Sequence, residues 1–580
     1  MCVGSFFFVG KQHGVAHDNI VEISRRQFQA AGFAKPHTFE YADFLIDYYA
    51  KIDSATADYL DLDGGDFAFS VGTFIYRGRI GAAALALFVR EPDPATAIAD
   101  THGHFVIVLR RGGEVTLWRD PAASFELYHH PDLRCVSTSF LALARTAASR
   151  TLNLQEMYEY VFHGVTLGTE TLLAEVRRLD IGERMRLSPR PAILHQPVEL
   201  CPPERDAPVG ELVEANLEEL LAYTKELVGI FGDNIRHALS GGYDSRLLLA
   251  LFRHSGITPH LFVYGSEHDP DVQIARRITT GEGISLSHVD KAKLRVVTPD
   301  SFPAIVADTF DRDEGAPSFG IFHSGAEHCA RRLRREGGAL HVNGGGGEVF
   351  RNFFNLLDRP LSSRGFVWTF YSQFDPADTT DRFDVRAYTD AVAGKVNRLL
   401  GVTQEPLSRR QVESLYPYLR CRSWFAPENS INNRYGHSVL PFFDHRIVTR
   451  ALQVPIRHKH FGGFESALIR RADPALAAYA SVYGHSFSRP APLRARGRAM
   501  LDYLRPVALR RHTFRVKAHL GGRPVRPALL EPACLQQVLP RGLARLSRYF
   551  NPDRMVSELQ FARLCTLEYL LERLGVDDPS

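Results

Sequence analysis

The chain lacks any long apolar run. No stretch of about 18 or more apolar residues occurs among its 580, which argues against a transmembrane helix and a membrane partner. It also lacks an excess of one charge. A net charge of +3 gives no basic field for nucleic acid, and the locally basic stretch 489–511 reads as solvated surface. Cysteines in ligand-spaced pairs are missing as well. Cys2, Cys135, Cys201, Cys329, Cys421, Cys534 and Cys565 are odd in number and scattered, which points to a reduced, cytoplasmic setting. The apolar opening 1–9 has no basic segment and runs into Lys11 and His13, so a buried strand is expected there rather than a signal peptide. No internal repeat is found. What remains is ordinary globular composition, 45% hydrophobic and 23% charged, in a chain too long for one core, so at least two domains are expected.

The first two hundred residues carry strand and hairpin patterns. His104 to Leu109 and Glu114 to Trp118 flank Arg110-Arg111-Gly112-Gly113, a hairpin signal. Strand-like runs also cover 67–76 and 135–140. A proline-rich linker, 200–208, follows. Beyond Val209 the pattern changes to an amphipathic helix over 211–230, a strand at 235–239, a glycine turn and a helix. A strand at 260–264, a helix at 271–279 and a strand near 287–289 come next. Such alternation predicts a parallel sheet covered by helices, with its ligand at the carboxyl ends of the strands. From about 361 onward the chain reads mostly helical.

Leu239-Ser240-Gly241-Gly242-Tyr243-Asp244-Ser245 carries the most chemistry. Adjacent glycines let a backbone approach an anion closely, and the following helix turns its unpaired N–H groups toward it. Ser240 and Ser245 add hydroxyl donors, and Asp244 offers a carboxylate for a magnesium ion bridging phosphates. No Gly-Lys-Ser or Gly-Lys-Thr follows, so this is not the other common phosphate loop. The string resembles the SGGxDS loop of the ATP-pyrophosphatase superfamily. A second glycine run, Asn343-Gly344-Gly345-Gly346-Gly347-Glu348, follows a strand and is expected to open a helix at Val349-Phe350-Arg351, so that both junctions face one nucleotide.

Several segments, in order, resemble the asparagine synthetase family. Beyond SGGYDS these are Phe262-Val263-Tyr264-Gly265 with Asp269-Pro270-Asp271 and Ala275-Arg276, then 343–350 against the family's "GEGSDEVF", and then Val439-Leu440-Pro441-Phe442-Phe443-Asp444, continuing to Pro455 and Lys459. At the N-terminus Cys2 stands where family members carry a glutaminase nucleophile, exposed once Met1 is removed. The resemblance spans about 1–480. It implies an α/β chain with an Ntn-type αββα sandwich over 1–200, whose degeneracy as a glutamine amidotransferase is left open, an ATP-pyrophosphatase domain over 209–480 and a helical extension over 481–580.

The activity so implied is ATP-dependent amide formation. A carboxylate, by default aspartate, is adenylated with release of pyrophosphate, and ammonia from glutamine then displaces AMP. ATP and Mg²⁺ are the implied cofactors, with Leu239, Ser240, Gly241, Gly242, Asp244, Ser245, Tyr264, Asn343 and Gly344 on the nucleotide. Asp244 and Glu348 are assigned to the metal, and Cys2, Glu348 and Lys459 to catalysis. A small-molecule or peptide carboxylate and an amine donor are the expected partners, and a homodimer is left open.

The sequence also departs from the pattern. Val71-Gly72-Thr73 replaces the "NGE" segment that would stabilise an oxyanion, Gly347 stands where an aspartate would bind magnesium, and Ser466 replaces a lysine, for which Lys459 or Arg470 is the candidate substitute. These departures favour two further readings. One is a specialised amide synthetase or cyclase, of the β-lactam or lasso-peptide kind, with a vestigial glutaminase domain. The other is an inactive nucleotide-binding homologue.

Overall fold

The computed structural model describes residues 3–11, 17–54, 56–403, 406–520 and 526–576. The chain is mixed α/β and contains two sheets, a curled one of 13 strands and a parallel one of five.

The first sheet comprises β1 (Val3–Gly10), β2 (His37–Glu40), β3 (Phe44–Ala50), β4 (Leu60–Leu62), β5 (Asp66–Tyr76), β6 (Arg79–Ile80), β7 (His102–Arg111), β8 (Glu114–Arg119), β9 (Tyr128–His129), β10 (Cys135–Ser137), β11 (Arg177–Arg178), β12 (Glu183–Ser188) and β13 (Ala192–His195). Its main path is β11-β9-β10-β1-β5-β7-β8-β12-β13, with β3 also paired to β1. Two-residue periodicity gives each strand two apolar faces. Phe67, Phe69 and Val71 of β5 join Val106 and Val108 of β7 in an inner core, while Ala68, Phe74, Phe105 and Ile107 point the other way. In β1 the register shifts between Val3 and Ser5, and the inward face changes accordingly from Val3 to Phe6 and Phe8. The two wings thus close over one core. Helices His17–Ala30 and Phe140–Thr146 cover one outside face, and Gly81–Phe88 with Pro94–Ala97 the other. The expected hairpin joins β7 to β8 through Gly112 and Gly113, whose φ values of 58° and 84° suit a tight turn of matching twist.

The second sheet contains β14 (Ile235–Ala238), β15 (His260–Tyr264), β16 (Leu286–Val289), β17 (Leu340–Val342) and β18 (Ser438–Val439). All pairs are parallel and the order is β16-β15-β14-β17-β18. Successive strands after β14 extend to one side, and the chain then returns to place β17 on the other. The connections diverge between β14 and β17, and at such a switch point the ligands of open α/β sheets bind at the carboxyl ends of the strands.

The halves interlock through helix Arg422–Tyr435 and the segment after β18. Thr73 Oγ1 of β5 donates to Asn433 Oδ1 at 2.6 Å. Lys51 Nζ donates to the carbonyls of Gly72, Asn433 and Gly436 at 3.2, 2.6 and 3.2 Å. His104 takes the Leu440 amide on Nε2 at 2.8 Å. Beyond residue 481 the described residues form helices Leu493–Leu504, Val507–Arg510, Thr513–Leu520, Pro532–Val538 and Glu558–Leu574. Helix Glu558–Leu574 is buried along most of its length, and Gln560 and Arg563 cap the Phe162 carbonyl at 3.3 and 3.1 Å. Among the described residues no helix is long and apolar enough to cross a membrane.

Candidate functional site

Leu239 continues β14, its amide donating to the Phe262 carbonyl of β15 at 2.8 Å. Ser240, Gly241 and Gly242 then turn the chain into helix Tyr243–His254, so the strand-turn-helix order expected from sequence is present at the sheet's carboxyl edge. Several polar groups of the turn satisfy one another. Ser240 and Ser245 hydroxyls lie 2.9 Å apart, and the Ser240 amide donates to Ser245 Oγ at 3.0 Å. The Gly242 amide reaches Ser240 Oγ at 3.3 Å, and the Gly241 amide donates to Asp271 Oδ1 at 2.7 Å. Gly241 is needed for crowding within the protein. A Cβ there would lie 2.5 Å from Val482 Cγ1 and 2.9 Å from Ile274 Cδ1.

Val482 belongs to a segment laid across the loop. Its amide donates to the Gly241 carbonyl at 3.2 Å. The fully buried Arg246 holds the same segment through the Tyr479 and Ala480 carbonyls at 2.7 and 2.8 Å, and Tyr243 stacks on Phe487 at 4.0 Å between ring centres.

The second glycine run lies directly against the first loop. A Cβ on Gly344 would be 3.1 Å from Asp244 Cβ, and one on Gly347 would be 2.2 Å from Asp244 Oδ1. The helix expected after it is a single 3₁₀ turn, Gly347–Phe350, entered through Gly346 at φ 95°. Consecutive glycines supply no side-chain contacts to propagate a helix. Asn343 stays at the end of β17, its amide on the Val439 carbonyl at 3.1 Å and its Oδ1 accepting from the Gly345 amide at 2.8 Å.

The 3₁₀ turn delivers Glu348 and Arg351 to Asp244. Arg351 Nη2 donates to Asp244 Oδ1 and Oδ2 at 2.9 and 3.1 Å. Its Nε pairs with Glu465 Oε2 at 2.9 Å, and Nη2 stands 3.5 Å from Glu348 Oε1. Tyr483 accepts from Arg351 Nη1 at 3.2 Å, and the Tyr416 hydroxyl donates to Glu348. One guanidinium thus sits among three carboxylates. Burial pushes the Asp244 carboxyl up to about 6 against the pull of Arg351. Burial and then the neighbouring Asp244 charge push Glu465 well above the carboxylate range. Burial alone would lower Arg351, yet Asp244, Glu465 and Glu348 raise it well above its ordinary value. The guanidinium is the fixed charge of the cluster.

The structure therefore brings Ser240, Gly241, Gly242, Asp244, Ser245, Gly344 and Glu348 together, with Asn343 at the root of the second loop. Tyr264 ends β15 and carries the Lys291 ammonium over its ring at 4.3 Å. Lys459 stands apart from the carboxylates. It is 1% exposed and faces Glu413 Oε2 at 3.8 Å, and among the described residues no ion pair or hydrogen bond is found from its ammonium to Asp244, Glu348 or Glu465. Burial lowers its pKa to about 8. Arg470 donates to the Phe487 carbonyl at 2.8 Å, and Ser466 shares a hydrogen bond with the Tyr243 hydroxyl. Arg351 and Glu465 escaped the motif reading. The available signal was an arginine four positions after Gly347, where an expected acid is missing.

Cys2 lies outside the described residues. The segment Val71-Gly72-Thr73 is closed. Val71 and Thr73 have no solvent exposure, and Gly72 adopts φ 95° with the His104 carbonyl 2.3 Å from where its Cβ would be. A cavity of about 510 Å³ lies instead between the halves, along helix Arg422–Tyr435. Its lining includes Tyr128, Phe140, Phe319, Asn343, Trp424 and Phe425, so it reaches the second glycine run.

No protein-family model matches the chain, and no curated protein does. Among solved structures, that of "the allosteric regulatory enzyme of purine biosynthesis" is similar at 9% identity, covering 51% of this chain and 82% of its own, with a TM-score of 0.24. At that score the likeness carries no weight for fold or function.

Proposed function

We propose that the chain binds a nucleoside triphosphate in the crevice between β14 and β17 and uses it to activate a carboxylate for amide formation. One observation carries this reading: two glycine loops, 240–242 and 343–347, pack against each other at the point where the strand order reverses. In the proposed reaction a carboxylate oxygen attacks the α-phosphorus and the bond to pyrophosphate breaks. An amine nitrogen then attacks the acyl carbon, loses a proton, and AMP departs with the bonding electron pair. The helix N-terminus at Tyr243 favours the negative charge gathering on pyrophosphate, and exclusion of water protects the activated acyl group.

The acceptor is read as larger than aspartate, and the amine as one not released from glutamine. The cavity of about 510 Å³ beside Asn343 falls within the roughly 300–1,000 Å³ of pockets that enclose drug-sized ligands. The closed packing of Val71, Gly72 and Thr73 beneath Asn433 and Lys51 favours a scaffolding role for the N-terminal half. The test is exchange of labelled pyrophosphate into ATP, with a panel of carboxylates run both with Mg²⁺ and with chelator. Exchange stimulated by a bulky carboxylate but not by aspartate, and indifferent to glutamine, is expected. Exchange with aspartate that also consumes glutamine would overturn the acceptor and donor assignments, and no exchange with any acid would overturn the reaction.

A further inference from the structure

The resemblance to the asparagine synthetase family implies a magnesium ion on Asp244 and a carboxylate near it, but the residues present do not fit one. Position 347, which would supply a ligand, is glycine, and its Cβ would lie 2.2 Å from Asp244 Oδ1. Both Asp244 oxygens already accept from Arg351 Nη2, at 2.9 and 3.1 Å, and Glu348 and Glu465 surround the same guanidinium. Among the described residues no three His, Cys, Asp or Glu side chains are grouped to hold a metal ion.

We infer that Arg351 is a built-in cation that takes the place of the divalent ion, so that the free protein has no metal site at the loop and a nucleotide enters it without one. The last clause rests on the proposed nucleotide reading, and the first does not. Several features fit a permanent tenant. The guanidinium cannot be lost at any ordinary pH, and its Nη2 reaches both oxygens of Asp244. It is fixed from three further directions, by the Glu465 pair, by Tyr483 at 3.2 Å, and by the Tyr243 ring, whose centre is 5.1 Å from the guanidinium carbon. Tyr243 and Asp244 come from the first loop, Glu348 from the second, Glu465 from helix Gly463–Ala472 and Tyr483 from the covering segment. An exposed arginine in an adventitious surface pair does not gather partners from four separate elements. Loss of the acid at 347 removes one negative charge, and Arg351 adds one positive charge at a fixed place. Together these changes replace a bound ion by a covalently attached one.

The test needs no nucleotide. Mn²⁺ binding to the full chain is followed by the loss of its free-ion paramagnetic resonance signal, in wild type, Arg351→Ala and the double variant Gly347→Asp/Arg351→Ala. Wild type is expected to bind no stoichiometric Mn²⁺ at 1 mM ion (roughly, a Kd weaker than several millimolar), and the double variant to bind one ion at least tenfold more tightly. A stoichiometric, Asp244-dependent site in wild type would overturn the inference, as would the absence of any gain in a folded double variant. Thermal unfolding of Arg351→Ala provides the second measurement should the double variant not fold. Millimolar ethylguanidinium is expected to raise its midpoint by several degrees while leaving wild type unchanged. Equal effects on both proteins would contradict a guanidinium site. Failure of the nucleotide reading would leave both results standing.

Discussion

Removing the Arg351 guanidinium should loosen the two helices it ties together. In Arg351→Ala the Asp244, Glu465 and Glu348 carboxylates lose their common counter-charge. The Asp244 carboxylate, ionised at pH 8 and largely buried, is left without its partner, and truncating one partner of a buried ion pair costs about 3–5 kcal/mol. At 1.4 kcal/mol per decade that corresponds to local opening about 10²- to 10³-fold more frequent. Because a chain of this size need not unfold in one step, the assay is amide hydrogen exchange within Tyr243–His254 and Gly463–Ala472, corrected for the intrinsic rate. The effect should depend on pH. Asp244 titrates near 6 in the folded protein against 3.8 ordinarily, so its charge opposes folding fully above about pH 6 and progressively less as pH falls toward 3.8. Without Arg351 the attraction that restrains this shift is gone, and protonation relieves the variant more than wild type. The loss at pH 8 should therefore exceed that at pH 5. Acceleration below tenfold at pH 8, or the same factor at both pH values, would refute the reasoning.

Lys459 is nearly buried and its pKa falls from 10.5 to about 8, so its charge opposes folding below pH 8, an effect that fades as pH rises toward 10.5. Lys459→Met should stabilise the protein at pH 7 by up to about 3 kcal/mol, at 1.36 kcal/mol per pKa unit, and so raise the denaturation midpoint. A lower midpoint would show that Glu413 depends on it. His104 is buried and neutral, lowered from 6.5 to about 4, and His237 likewise to about 4. Each should remove up to about 3 kcal/mol of stability as pH falls from 6.5 toward 4. Thermal midpoints measured across that range should drop in wild type and drop less in His104→Gln, and equal slopes would count against the assignment. Gly72→Ala places a Cβ at φ 95° and 2.3 Å from the His104 carbonyl. A loss of at least about 2 kcal/mol in urea melts is expected, and a neutral outcome would mean that β5 and β7 are not as tightly paired as described.

The glycine turn 240–242 was legible because its conformation is decided locally, by a strand before it, two residues without side chains and an apolar helix after it. The alternation that builds the parallel sheet and the Gly112-Gly113 hairpin were legible for the same reason. What stayed hidden depends on distant partners. The role of Arg351 is set by Asp244, 107 residues away, and by Glu465 beyond it. Gly241 reads as a phosphate-approach glycine, yet its crowding comes from Val482. The helix expected after 343–347 is reduced to one turn because Asp244 and Phe442 crowd a run that has no side chains of its own. Burial of the final helix against Phe162 joins residues about 400 apart, a contact no local pattern encodes.

Whether a nucleotide enters at the carboxyl ends of β14 and β17 is decided by calorimetric titration of the full chain with ATP. The titration is run with Mg²⁺ and again with chelator, on wild type and on Gly344→Phe, which would drive a bulky side chain into Asp244. One site in wild type, of similar affinity under both conditions, and at least tenfold weaker binding in the variant are expected. No binding to wild type, or binding that Gly344→Phe leaves untouched, would overturn the nucleotide reading.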